Sequence, residues 1–63
     1  MCLATAYKTQ AAEGNLLMRN VQRIECHDGQ VFLTDLMDRQ VVIEGELVMA
    51  DLVENVVIVR ERR

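Results

Sequence analysis

The residue with the most distinctive chemistry in this chain is Cys2. Methionine excision generally proceeds when the second residue is small, and cysteine is small enough, so the mature chain would open on Cys2. An N-terminal cysteine carries an amine and a thiol on adjacent carbons. Together they close a five-membered chelate ring around a metal ion. The amine titrates at about 7.7–8.0 and a free thiol at about 8.5, so a bound metal readily displaces both protons. The amide nitrogen of Leu3 is a further in-plane donor for ions able to deprotonate it. A planar set of thiolate and nitrogen suits Ni(II) or Cu(II), whereas Zn(II) takes a tetrahedron. One chain offers two or three such donors. Two chains meeting on a two-fold axis would complete one planar set. If Met1 is retained, its amine with the Cys2 amide and thiolate still forms a chelate, with different ring sizes. The plainer reading is that Cys2 is a small residue opening a first strand.

Cys26-His27-Asp28 is a second cluster of ligand-type residues. Neighbours on a strand point to opposite faces, so Cys26 and His27 do not easily share an ion. Cys26 reads as a small buried hydrophobe and His27 as a solvated turn residue. Two Cys and one His do not make a zinc-site spacing. Serine is absent, so no serine triad exists. Glu44 and Glu46 share a face if that segment is extended, but beside Gly45 they read as a solvated face. Met18, Met37 and Met49 read as gap-fillers.

These residues must be placed by short, dense apolar runs separated by turn residues. The runs are rich in β-branched side chains, which suits a pleated surface. Residues 2–9 form the first expected strand. Gly14-Asn15 marks a turn. Residues 16–26 read either as one strand with a bulge near Arg19-Asn20 or as a short helical turn before a strand. His27-Asp28-Gly29-Gln30 is the clearest hairpin signal, because Asp-Gly supplies the positive φ angles of a tight turn. Strands are expected at 31–36, 40–43, 47–53 and 56–60, with a bend or bulge at Gly45. Glu54-Asn55 is expected to turn, with Asn in the left-handed region. Five or six short antiparallel strands with frequent turns imply an all-β barrel or small curled sheet. No long helix is available for a parallel crossover.

The chain has 63 residues, 51% of them hydrophobic, and neither proline nor tryptophan. That length holds one domain, residues 1–63, and is too apolar for a disordered chain. It leaves too little chain to wall off a large active site, so an enzyme is not expected. Ten acidic against seven basic residues give a net charge of −3, which argues against nucleic acid and against an anionic membrane surface. No apolar run is long enough to span a bilayer. The opening lacks the pattern of a signal peptide, and two cysteines are too few to staple a secreted fold. A cytoplasmic protein with free thiols is expected.

Strands with one wet face alternate apolar and polar residues. Val41-Val42-Ile43 and Val56-Val57-Ile58-Val59 do not. A barrel of this size has one core, so each run offers a surplus apolar face. Such faces invite a second copy, and a homodimer is expected.

The opening Met1-Cys2-Leu3-Ala4, the hairpin through Asp28-Gly29, and the sequence Gly45, Asp51-Leu52-Val53, Val56-Val57-Ile58-Val59 resemble the CooT family. These are very small nickel-binding accessory proteins of carbon monoxide dehydrogenase maturation. The resemblance spans nearly the whole chain, although only the opening is motif-like. It implies a Sm-like or SH3-like barrel, a homodimer, Ni(II) held by Cys2 at the dimer interface, and a partner among the maturation proteins of that enzyme. It assigns no role to Cys26 or His27. Two other functions compete: an RNA-binding module of Sm-like shape, and a plain dimeric interaction module without metal. The first would need a basic face with exposed aromatics, and the chain has only Tyr7 and Phe32.

Overall fold

A computed structural model describes residues 3–62. Five strands follow one another: β1 (Ala4–Lys8), β2 (Leu16–His27), β3 (Gln30–Asp35), β4 (Gln40–Asp51) and β5 (Val56–Glu61), with one turn of 3-10 helix at Glu13–Asn15. They close into a barrel in chain order, β1-β2-β3-β4-β5. Each sequential pair is antiparallel, as expected. The closing pair β1–β5 is parallel, Thr5 opposite Val56 through Lys8 opposite Val59. That parallel pair was not foreseen, and parity requires it. An odd number of strands, each reversing the last, leaves the first and fifth pointing the same way. No crossover helix is needed, because the other strands make the connection.

Local chemistry sets the corners. Asp28 and Gly29 have φ of 48° and 76°, the two positive angles of the tight hairpin that Asp-Gly favours. Asn55 has φ of 59° and Asn20 of 57°. Around Asn20 the pairing slips, with Ala6 opposite Met18 but Ala4 opposite Val21. Residues 16–26 are therefore one bulged strand, and the helical alternative is not what forms.

The expected strands 40–43 and 47–53 are one strand, β4. Gly45 bends the chain without ending it. Its N–H donates to the Gly29 carbonyl at 3.0 Å, and Arg62 N–H donates to Glu44 at 2.8 Å. A Cβ at Gly45 would land on the Arg60 carbonyl, so only glycine lets β5 approach this closely.

The core is small and aliphatic: Ala6, Val21, Val31, Leu33, Ile43, Val57 and Val59. Burying each of the larger side chains contributes about 1.5–3 kcal/mol. This corrects the expectation about Val56-Val57-Ile58-Val59. Val57 and Val59 fill the interior, and Ile58 on the other face is only 7% exposed, flanked by Tyr7 and Met49. That run offers no surplus face. In the other run Ile43 is buried, and only Val42 stands well exposed.

Candidate functional site

Cys2 lies outside the described residues. The structure does fix where the chain enters the barrel. Ala4 pairs with Val21 of β2 and Thr5 with Val56 of β5. Thr5 N–H also donates to the Asn55 carbonyl at 2.9 Å. The start of β1 is thus clamped between β2 and the turn that joins β4 to β5. An apolar groove of about 230 Å³ opens there, lined by Ala4, Val21, Ile24, Ala50, Leu52 and Val57 among others.

The second cluster divides as strand geometry requires. Cys26 is opposite Val31 and His27 opposite Gln30. Val31 belongs to the core, so Cys26 lies on the inward face. It sits near the end of β2 and is exposed, not buried as its type suggested. His27 is on the other face. Its ring meets the edge of Phe32 at 5.5 Å, and its Nε2 is 3.8 Å from the Glu25 carboxylate. Glu25 in turn accepts from Arg23 at 3.2 Å. Among the described residues no three His, Cys, Asp or Glu side chains are grouped to hold a metal ion. Glu46 pairs with Arg60 at 2.7 Å on the exposed face of the barrel. Met18 packs against the core. Met37 is 72% exposed and fills no gap.

Sequence reasoning passed over two aspartates. Asp35 is buried at 4% exposure. Its Oδ1 accepts the backbone N–H groups of Met37 and Arg39, each at 2.9 Å, and its Oδ2 accepts Arg39 Nε–H at 2.9 Å. Burial pushes this carboxyl up. The backbone N–H groups and the Arg39 guanidinium outweigh that and hold it below the usual carboxylate value. Asp51 Oδ1 likewise accepts the N–H groups of Val53 and Glu54, each at 3.0 Å. The signal was present as a repeat: Asp35-Leu36-Met37 and Asp51-Leu52-Val53 both place two apolar residues after an aspartate at a strand end. Each aspartate folds its turn back on itself and leaves those residues outside. Leu36 and Met37 are 55% and 72% exposed, Leu52 and Val53 80% and 87%.

The fold and these surfaces define a compact all-β barrel with a small aliphatic core and two aspartate-braced apolar turns. Residues 1–60 match the family model of CooT, the CO dehydrogenase accessory protein, and the chain belongs to that family. No curated protein matches the sequence. A crystal structure assigned as CooT from Carboxydothermus hydrogenoformans is similar in fold, with a TM-score of 0.83 at 16% identity, covering 98% of this chain and 100% of the other. No helix among the described residues is long and apolar enough to cross a membrane.

Proposed function

We propose that this protein is a nickel-carrying accessory protein, not an enzyme, that holds one Ni(II) per homodimer through Cys2 and works in the cytoplasm. The observation that carries the reading is the family match, which runs from residue 1 and so takes in Cys2. The family serves CO dehydrogenase, and a maturation protein of that enzyme is the expected partner. The donor chemistry agrees. A planar ion takes four donors, and two chains that each give a thiolate and a nitrogen supply them. The other thiol, Cys26, has its neighbouring imidazole on the opposite face of β2 and gains no ligand from it. Nickel is cargo here, to be held and passed on. The surplus of carboxylates opposes RNA binding.

The test is titration of the purified protein with Ni(II), read by thiolate-to-nickel absorption and by mass. Half an equivalent of nickel per chain is expected. Cys2→Ser abolishes the absorption, and Cys26→Ser leaves it intact. Equal nickel binding in Cys2→Ser overturns the proposal, and no binding by the unmodified chain leaves a plain interaction module.

A further inference from the structure

We infer that the groove between the first half of β2 and the turn braced by Asp35 is a docking site for an extended, carboxylate-bearing peptide segment of a protein partner, which adds a strand to the free edge of β2. The inference depends neither on nickel nor on Cys2.

The edge comes first. β2 pairs with β1 between Leu16 and Val21, but with β3 only from Val21 onward, where Val21 lies opposite Asp35. On the side away from β1, residues 16–20 therefore face no strand among those described. β3 has ended there, and the chain turns after Asp35 to enter β4 at Gln40. The gap is a groove of about 500 Å³ lined by residues 16–20, Asp35, Arg39 and Val41. Leu17, Met18 and Val41 give it an apolar floor, since all three pack against the core. At one end of this edge the Asn20 carbonyl accepts the Leu36 N–H at 2.9 Å. That bond, with Asn20 in the left-handed region at φ of 57°, ties the bulge of β2 to the Asp35 turn and fixes the groove between them. An unpaired strand edge is a template for one more strand.

Charge decides what that strand carries. The chain bears −3 overall, and Lys8, Arg23 and Arg60 are each paired with a glutamate. The groove departs from this pattern. Arg19 is exposed and has no carboxylate partner among the described residues. Arg39 gives its Nε–H to Asp35 at 2.9 Å, and among the described residues its Nη nitrogens have no acceptor. Its backbone is held as well: the Arg39 N–H donates to the Asp35 carboxylate and the Asp35 N–H to the Arg39 carbonyl, each at 2.9 Å. Asp35 is the one acidic residue among those lining the groove, and its two oxygens already accept three bonds. Two guanidinium groups thus flank an apolar floor with no free carboxylate between them. Arginine matches a carboxylate with two parallel N–H donors. A strand that alternates apolar and acidic residues turns one face to the floor and the other to solvent and the arginines. The groove is preformed, so little ordering is needed when it fills. A small free carboxylate would leave the backbone groups of the β2 edge unused, which is why the occupant is a peptide.

The experiment is titration of the isotopically labelled full chain, followed through its backbone amide resonances, with an acetylated and amidated hexapeptide of alternating valine and glutamate. Saturable shifts are expected at Leu17, Met18, Arg19 and Arg39, with a dissociation constant of about 1 mM or below. Arg19→Glu should raise that constant at least ~10-fold, because it replaces an attraction with a repulsion. Arg19 is exposed, so the variant should keep the amide spectrum of the folded chain. Arg62→Glu, exposed and outside the groove, should bind as the unmodified chain does. The same peptide with lysine in place of glutamate, or with methyl groups on alternate backbone nitrogens, should not bind. The proposal is overturned by the absence of saturable shifts, by equal affinity for the lysine or the methylated peptide, or by an unaltered constant in Arg19→Glu. Hexanoate that binds as tightly as the peptide would make this a small-carboxylate site and overturn the peptide reading. Loss of self-association in Arg19→Glu without peptide would assign the groove to a second copy and overturn it too. Nickel binding is read separately and stands or falls by its own titration.

Discussion

The backbone N–H of Thr5 donates to the carbonyl of Asn55 at 2.9 Å, and this bond ties the entry of the chain to the foot of the Leu52 turn. Fifty residues of sequence separate the two. The barrel's parallel closure makes them neighbours, so the start of β1 and the turn between β4 and β5 share one end of the barrel.

Nickel affinity should depend on protons at that end. If Cys2 holds the ion as proposed, its amine and thiol both lose protons on binding, and affinity should fall at least ~10-fold per pH unit below about pH 7.5. One or two residues added ahead of Cys2 should weaken the site, because the free amine is consumed. Calorimetric titration at several pH values, on native and extended chains, measures both effects. Binding indifferent to pH and extension alike would move attention to Cys26 and His27.

Gly45→Ala should destabilise the barrel by about 2 kcal/mol or more, since the new methyl meets the Arg60 carbonyl and the backbone of β5 must yield. Gly14→Ala is the control, with nothing within 4 Å of the added carbon. Urea unfolding of the two variants separates them. An unchanged midpoint for Gly45→Ala would contradict the close approach.

Asp35 should make stability depend on acid. Its folded value lies below the ordinary 3.8, so the ionised form is favoured in the native state. That contribution is fully present above pH 3.8 and is lost as pH falls through the lower folded value. Asp35→Asn should therefore melt well below the unmodified protein at neutral pH. The gap between their thermal midpoints should narrow in strong acid. A constant gap at all pH values would show that the charge of Asp35 is irrelevant.

Thr9 has φ of 74°, and Gln10 N–H donates to the Lys8 carbonyl across it at 2.8 Å. This three-residue γ-turn is strained, more so at a β-branched residue. Thr9→Asn should stabilise the protein by roughly 0.5–1 kcal/mol. A chemical denaturation midpoint that falls would show that the threonine side chain contributes more than the strain costs.

Several features were set by the sequence alone, because they are local. Asp-Gly and Asn take up positive φ more readily than other residues, so the turns at Asp28-Gly29 and Asn55 were legible. The bulge at Asn20 was visible as a break in the apolar pattern, though a helical turn competed with it. Dense β-branched runs made the chain all-β, and Cys2 at the second position offered a chelate whatever the fold. Only the tertiary structure decided the rest. A period of two says that Val57 and Ile58 face opposite ways, not that both faces are covered. Gly45 read as a bend or bulge between two separate strands. It instead keeps β4 continuous, because what matters there is how closely β5 approaches. Cys26 shares the inward face with Val31 yet stays exposed, because it lies near the end of β2. Asp35 drew no notice as a charged residue at a strand end. Folding wraps it in two backbone N–H groups and a guanidinium, and those contacts exist only once the turn and the barrel have closed.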